Sequence, residues 1–515
     1  MGTAIIRPLV DILGAMSSKS DADVALVTKA YEFAKDAHKE QKRFSGDMYF
    51  THPAEVGYLL ATAGMCPQAI SAGLLHDTIE DAGTKPKMIE QEFGPEVLSL
   101  VQGVTKLGTL RYRGLERHTE SLRKLFAATA KDIRVLIIKL MDRLHNARTL
   151  EHVPKEEKRV RIAQETLEIY APIADRLGMS VAKQELEDAA FPFAYPKEYE
   201  KTRELVKERK KENEKRLEKT EHDLKREFAE AGLRGFRTEA RIKGIYSLFR
   251  KLERKQWDIS KIHDMRALRV IFPSLADCYT ALGIIHAHWR PVPGKIKDYI
   301  AFPKPNGYQS IHTTVYTGDG GALEMQLRTE AMHREAQFGI ASHLTYKEAQ
   351  SGVSEGARGG LEWVRQFLPA WRRSSQKSVE TVRENASGSV PEWVKELART
   401  ERSIGASEEY LGTLKTDFFS HRVFVFTPKG DVIDLPIAAT PIDFAYAVHS
   451  DLGNKMSGAR VNGKMVSLDT ELRNGDMVEI ITRPSARPTR KWHDIAKTSM
   501  AKKHIRTALA AQQRK

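Results

Sequence analysis

The 515-residue sequence predicts a multidomain protein: an all-α domain, then a mixed α/β domain, then a small β-grasp-like module. From residue 21 to about 195 apolar residues recur at spacings of three and four, the stripe of amphipathic helices. Between about 233 and 347, short β-branched runs such as ALRVIF and LEMQLR alternate with helical ones. After residue 415, HRVFVFTPKGDVIDLP reads as a strand, a turn and a strand, followed by a helix and further short strands. A hydrophobic content of 41% suffices for several cores, and the length implies roughly three domains.

Taken in order, residues 1–20 form an N-terminal segment in which Arg7 and Asp11 interrupt the apolar run, so it lacks the pattern of a signal peptide. Residues 21–195 are the all-α domain. Residues 196–232 are dominated by Lys, Arg and Glu and predict a solvated connecting helix. The mixed domain spans 233–347. Residues 348–414, rich in Ser, Gly, Glu and Arg and carrying Trp363, Trp371 and Trp393, predict a linker with helical pieces. The β-grasp-like module occupies 415–484, and 485–515 form a basic helical segment.

Composition excludes several classes. Two cysteines, Cys66 and Cys278, are too few and too distant for a disulfide framework or a cysteine zinc site, which favours a reducing compartment such as the cytoplasm. No stretch approaches the roughly 18 apolar residues of a membrane span, so no membrane partner is expected. The formal charge of +14 points to polyanionic partners such as nucleotides, RNA or the ribosome, although lysine-rich solvated helices give the same balance.

The first chemical constellation is LLHDTIED. A helix through it stacks His76 on Glu80 and Asp77 on Asp81, four residues apart. Upstream, Pro53 sets His52 at a helix start. Downstream, Asp142, Asn146 and Thr149 recur on a face opposite Ile138, Met141 and Leu144. His52, His76, Asp77 and Asp142 make a mixed nitrogen and oxygen set suited to manganese, iron or zinc. An ion there acidifies a bound water, and Glu80 or Asp81 steers protons. The alternative is four unrelated polar residues on bundle helices.

The second constellation is basic. RIKGIYSLFRK places Arg241, Lys243, Ser247, Arg250 and Lys251 at the start of a helix, where a triphosphate is favoured. Lys295 and Lys297 follow, then Lys304, Asn306, Tyr308 and His312 in FPKPNGYQSIHTT, where a tyrosine among lysines suits a stacked base with bound phosphates. Asp264 and Glu324 are carboxylates able to hold Mg²⁺ with substrate phosphates, and Glu324 is placed to accept a proton from an attacking hydroxyl.

These motifs resemble the RelA/SpoT homologue enzymes. His52-Pro53, HDTIED and MDRLHNARTL resemble the family's hydrolase domain, while RxKxxYS, DYIAFPKPNGYQSIHTT and ExQxRT resemble its alarmone synthetase domain. The resemblance implies an all-α HD-type hydrolase domain, a mixed α/β nucleotidyltransferase-like synthetase domain and a small β-grasp TGS domain. It implies a bifunctional enzyme that transfers pyrophosphate from ATP to the 3′-hydroxyl of GDP or GTP, and removes the 3′-pyrophosphate of (p)ppGpp. His52, His76, Asp77 and Asp142 are then expected to hold Mn²⁺, Glu80 and Asp81 to activate water, and Arg43, Asn146 and Thr149 to contact nucleotide.

In the synthetase half, Arg241, Lys243 and Lys251 are expected on ATP, with Ser247 nearby and Arg269 in support. Lys297, Lys304, Asn306, His312, Gln326 and Arg328 complete the nucleotide set, Tyr308 stacks on guanine, and Asp264 and Glu324 bind Mg²⁺. The chain departs from the family pattern at Phe44, Gln337 and Leu344. The TGS resemblance implies uncharged tRNA and the ribosome as partners, with His449 the candidate RNA contact. Long relatives continue into domains with no counterpart in this sequence, which suggests a truncated form or one of reduced regulation. Two rivals stay open: an HD nucleotide phosphohydrolase with an effector-binding α/β half, and a catalytically silent RNA- or ribosome-binding regulator.

Overall fold

In a computed structural model the described residues are 6–105, 129, 132–259, 262, 266–304, 306–318, 321–342, 422–473 and 475–513, with backbone alone at 208–213, 266, 422, 432 and 511–513. Two compact units divide them, the second holding residues 422–513. Among the described residues no helix is long and apolar enough to cross a membrane. The 348–414 linker lies outside the described residues.

The first unit opens with α1 (Leu9–Ala15), α2 (Asp21–Ala37), α3 (Thr51–Thr62), α4 (Pro67–Leu75), α5 (Pro86–Thr105) and α6 (Ile133–Arg148). The residues before 21 are not a bare segment, because α1 buries Ile12 completely against this bundle. Local chemistry sets the boundaries. Ser20 caps α2 by accepting from Asp23 N, Asp132 caps α6 by accepting from Arg134 N, and Pro67 occupies the first turn of α4. Gly94, at φ 84°, breaks α5 just before Pro95. Helix α6 is buried around nearly its whole circumference, so the polar face shared by Asp142, Asn146 and Thr149 exists but lies inside the bundle, where Asn146 Nδ2 donates to Asp142 Oδ1. The structure also ends α4 at Leu75. His76 caps it, and 77–81 form turns instead of continuing the helix, with Asp81 N still donating to Asp77 O at 2.8 Å.

After α7 (Glu156–Glu165), a π-helical turn (Thr166–Tyr170) and α8 (Ala171–Arg176), α9 (Ser180–Ala194) leads into α10 (Pro196–Glu230). Helix α10 is not a solvated connector. Its Leu217, Leu224 and Phe228 are buried in the core of the α/β domain with Leu268, Val270 and Phe272, and Leu205 and Val206 pack near Leu248 and Leu252. A sparse apolar stripe within a charged sequence is enough to dock one face of a long helix.

The α/β domain comprises β1 (Arg237–Ile242), α11 (Ile245–Arg254), β2 (Arg266–Phe272), α12 (Leu275–His288), β3 (Lys297–Asp298), β4 (Ile311–Tyr316), β5 (Ala322–Thr329) and α13 (Glu330–Phe338). The sheet order is β1-β2-β5-β4-β3, with β2 and β5 parallel and the other pairs antiparallel. Helices α10 and α12 cover one face. A seam of hydrogen bonds onto main-chain carbonyls joins this domain to the helical one: Ile340 N donates to Leu177 O at 2.9 Å, Asn306 Nδ2 donates to Asp175 O at 2.9 Å, and Ser180 Oγ donates to Ala336 O. Gly339, at φ 55°, lets the chains approach this closely, since any Cβ there would collide with the Leu177 carbonyl.

The second unit contains the β6–β7 hairpin (Arg422–Phe426 and Val432–Pro436), α14 (Pro441–Val448), α15 (Ser450–Asn454), and the three-stranded sheet β10-β8-β9 (Val478–Thr482, Met456–Val461, Lys464–Val466). A capping box between Thr440 and Asp443 starts α14. The basic C-terminal segment is two helices, α16 (Arg490–Ile495) and α17 (Ser499–Gln513). They pack Trp492, Ala501 and Ile505 against Ile442 and Tyr446 of α14, so this segment belongs to the module's own core.

Candidate active sites

In the helical domain three elements converge. The first turn of α3 carries His52, the end of α4 presents His76 followed by Asp77, and the middle of α6 carries Asp142. His52, His76 and Asp142 are buried, and their donor atoms lie within 4.8 Å of one another. His52 Nε2 is 3.2 Å from His76 Nε2, 3.3 Å from Asp142 Oδ1 and 3.6 Å from Asp77 Oδ2. His76 Nε2 is 3.2 Å from Asp77 Oδ1. The Gly73 carbonyl only accepts, so His76 Nδ1, 2.7 Å away, carries the proton and Nε2 of the neutral ring presents a bare lone pair. Imidazole nitrogens and carboxylate oxygens converging on one dry point are the donor set of a divalent-metal site.

Electrostatics fit that reading. Burial lowers the His52 imidazole, which keeps it neutral and available as a ligand. Burial alone would raise Asp142, but Lys139, whose Nζ donates to Asp142 Oδ2 at 2.6 Å, holds the carboxyl well below its ordinary value. Glu80, exposed on the turn, is raised by partial burial and by Asp77. Arg43 reaches across to Asn146 Oδ1 (3.2 Å) and Thr149 Oγ1 (3.1 Å), so those three candidates share one patch beside the cluster. Phe44 next to it is largely exposed, with the Lys158 ammonium 5.6 Å above its ring.

Two residues here had been given no role. Tyr49 donates toward both Asp77 Oδ2 (2.9 Å) and Asp81 Oδ2 (2.6 Å), bridging a metal candidate and a proton-transfer candidate. His145 stands between Arg43 and His52. Tyr49 three residues before His52 carries no periodic signal. His145 was visible within MDRLHNARTL, but its contacts come from distant elements.

The second site is the face of the five-stranded sheet opposite α10 and α12. Alternation along β5 sends Leu323, Met325 and Leu327 into the core and Glu324, Gln326 and Arg328 to the other face. Register extends that face across the strands. Glu239 pairs with Arg269, Arg269 with Gln326, Gln326 with His312 and His312 with Lys297, while Arg241 and Glu324 both pair with Ala267. The expectation that Arg241 opens a helix is corrected: it lies on β1, and α11 begins only at Ile245, carrying Ser247 and Lys251 four residues apart on one face. Lys243 lies in the short link between them. Asp264 lies outside the described residues, as does Leu344; Gln337 is on α13.

Tyr308 OH and His312 Nε2 are 2.7 Å apart, and His312 Nδ1 is 3.4 Å from Glu324 Oε1, which also accepts from Gln326 Nε2 at 2.7 Å. Lys304 Nζ sits 4.8 and 5.0 Å from the rings of Tyr299 and Tyr308. Arg269 donates to Glu239 at 3.0 Å. Asn306 is held by Asp175 O, and Ser247 Oγ donates to Glu187 Oε2 at 2.9 Å, so both engage the helical domain. Burial lowers Lys304 to about 8 and Arg328 to about 10, and holds His312 well below its ordinary value with Lys304 adding to the effect. Arg269 Nε and Arg328 Nε are buried with no hydrogen-bond partner among the described residues. Cations crowded out of water and under-neutralised favour a polyanion.

His449 caps α15, its Nδ1 accepting from Asp451 N at 3.1 Å, and its side chain is half exposed. Nothing further at that position distinguishes an RNA contact from a helix cap.

The chain matches an HD domain over residues 30–180, a region found in RelA / SpoT proteins over 240–351, and a TGS domain over 423–482. It is 43% identical to a GTP pyrophosphokinase of Myxococcus xanthus over 96% of this chain and 61% of that one. It is 42% identical to a GTP pyrophosphokinase of Streptomyces coelicolor over 99% of this chain and 58% of that one. A guanosine-3′,5′-bis(diphosphate) 3′-pyrophosphohydrolase of Aquifex aeolicus is also 42% identical, over 98% of this chain and 68% of that one. The chain thus spans about three fifths of the first two relatives and two thirds of the third. Three domain matches in that order, over the two clusters just described and the module behind them, mean that the chain belongs to the RelA/SpoT family.

Proposed function

We propose that this chain is a bifunctional alarmone enzyme that makes (p)ppGpp from ATP and GDP or GTP, and hydrolyses it back to GDP or GTP and pyrophosphate. The observation that carries the reading is the presence on one chain of two separate buried polar centres, one convergent on a cation and one on a polyanion. The names of the relatives, pyrophosphokinases and a 3′-pyrophosphohydrolase, support both directions.

In hydrolysis, His52, His76, Asp77 and Asp142 hold Mn²⁺. When bound, the ion supplies an acidified water and charge stabilisation at the phosphate. Tyr49 orients Asp77 and Asp81, and Asp81 with Glu80 takes the proton from the attacking water; the raised Glu80 carboxyl suits it to return a proton to the leaving oxygen. Arg43, Asn146 and Thr149, which share one patch beside the cluster, contact the nucleoside.

In synthesis, Arg241, Lys243, Lys251, Lys304 and Arg328 bind the triphosphate, and Arg269 and Lys297 supply further positive charge on the same face. Tyr308 stacks on guanine, and Glu324, oriented by Gln326 and His312, accepts the proton of the 3′-hydroxyl. The hydroxyl oxygen bonds to the β-phosphorus of ATP, the bond from that phosphorus to the α–β bridging oxygen breaks, and AMP leaves. Glu324 also supplies one of the one or two carboxylates that Mg²⁺ commonly uses, with Asp264 the proposed second. Asn306 and His312 shape the base pocket. The TGS module is proposed to meet uncharged tRNA on the ribosome, with His449 as a contact, and the enzyme to work in the cytoplasm.

Labelled ppGpp incubated with Mn²⁺, and ATP with labelled GDP incubated with Mg²⁺, test the reading. Loss of the 3′-pyrophosphate in the first mixture and appearance of ppGpp with AMP in the second are expected. Inertness in both supports a silent regulator, and hydrolysis alone supports a phosphohydrolase with an effector domain.

A further inference from the structure

His145, on α6 three residues after Asp142, is half-buried with its ring centre 5.0 Å from that of His52 and tilted 30° to it. Its Nδ1 lies 3.0 Å from Arg43 Nη1 and 2.7 Å from His52 Nδ1. A guanidinium has only donors, so His145 Nδ1 must accept. Two bare nitrogens at 2.7 Å would repel, so His52 Nδ1 carries the proton and donates as well. The neutral His52 ring then has a bare Nε2, which faces the bare His76 Nε2 at 3.2 Å and the Asp142 and Asp77 carboxylates, an all-acceptor cluster whose mutual repulsion a bound cation relieves.

We propose that His145 is a positioning residue of the hydrolase centre: its Nδ1 accepts from both Arg43 and His52, which locks His52 in the tautomer whose Nε2 is free to ligate a divalent cation. The inference rests on reading His52, His76, Asp77 and Asp142 as a metal site. Gly73 O plays the same part for His76, so each imidazole ligand has its tautomer set by an acceptor behind it. The difference between them is that the acceptor behind His52 is a side chain shared with Arg43. Nucleotide contact and metal ligation therefore meet at one lone pair.

The test is Mn²⁺ binding to the nucleotide-free full chain, followed by titration calorimetry and by the electron-spin signal of free Mn²⁺. His145→Leu removes the acceptor and is expected to weaken Mn²⁺ about 10–100-fold, the scale of a lost outer-shell partner. His145→Asn places Oδ1 where Nδ1 stood and is expected to recover most of that affinity. His145→Gln carries its acceptor one bond farther out and is expected not to. A structural role alone would not order the three this way at equal thermal stability. Wild-type affinity in His145→Leu, or equal losses in His145→Leu and His145→Asn, overturns the proposal. A wild-type chain that binds no Mn²⁺ overturns the metal reading instead, so the two failures are distinct. If His145→Leu does not fold, the ¹⁵N resonances of His52 in the metal-free wild-type chain decide, assigned by difference against His52→Gln. A protonated Nδ1 supports the proposal, and a protonated Nε2 overturns it.

Discussion

The pocket around His52 and the polar face of the five-stranded sheet both hold ionisable groups away from water, but in opposite senses. In the pocket, imidazole lone pairs and carboxylate oxygens point inward, and Asp142 is kept ionised by Lys139. On the sheet, Lys304, Arg269 and Arg328 are all pushed down by burial, and the described carboxylates on that face, Glu239 and Glu324, are already engaged by Arg269, Gln326 and His312. On the sheet the cations are destabilised for want of an anion, whereas in the pocket it is the convergence of acceptor atoms on one point that calls for a cation. One centre lacks a cation and the other an anion.

The strongest way to break this contrast is Asp77→Ala, which deletes a carboxylate from the cation-seeking centre. Hydrolysis of ppGpp should fall about 10³-fold or more while synthesis persists, as read by turnover of labelled nucleotide. Loss of both reactions in a folded protein would mean a shared centre. Glu324→Gln should do the converse, lowering synthesis by about 10² or more, with hydrolysis kept. Retention of synthesis would remove Glu324 as the base.

Smaller effects sharpen the picture. Tyr49→Phe leaves Asp77 in place but frees Asp81, so kcat for hydrolysis should fall about tenfold, close to 1.4 kcal/mol; an unchanged kcat would mean the bridge is idle. The weakest effect is a pH dependence. Lys304 faces Tyr299, Tyr308, His312, Lys297, Lys183 and Asp175, and with a value near 8 it is charged below that pH and neutral above it. The KM for nucleotide in synthesis should therefore rise roughly threefold between about pH 7.5 and 9, and Lys304→Arg should flatten that limb. A KM flat across this range in the unsubstituted chain would show that Lys304 does not titrate there.

Much of this was legible because periodicity and short motifs carry local geometry. The β5 alternation placed Glu324 on a strand, and Pro53 fixed His52 at the start of α3. The helix predicted through His76 to Asp81 failed because local spacing does not register where a helix stops. The chain turns after Leu75 and still brings Asp77 and Asp81 to one hydroxyl. The solvated connector failed for another reason: Leu217, Leu224 and Phe228 are few within a charged helix, and only a distant sheet gives them a core. Tyr49, His145 and Glu187 act through partners far along the chain, which single-sequence spacing does not encode.

The joint at Leu177 and Ile340 is made by peptide groups, and Asn306 meets it through a carbonyl at Asp175. The peptide-to-peptide bond is indifferent to most amino-acid replacements, except at Gly339, where a side chain would pry the joint open. Asn306, Ser180 and the Ser247–Glu187 pair anchor the rest of the joint in particular side chains, so either polar centre can drift in sequence only at positions that do not also serve as rivets between the domains.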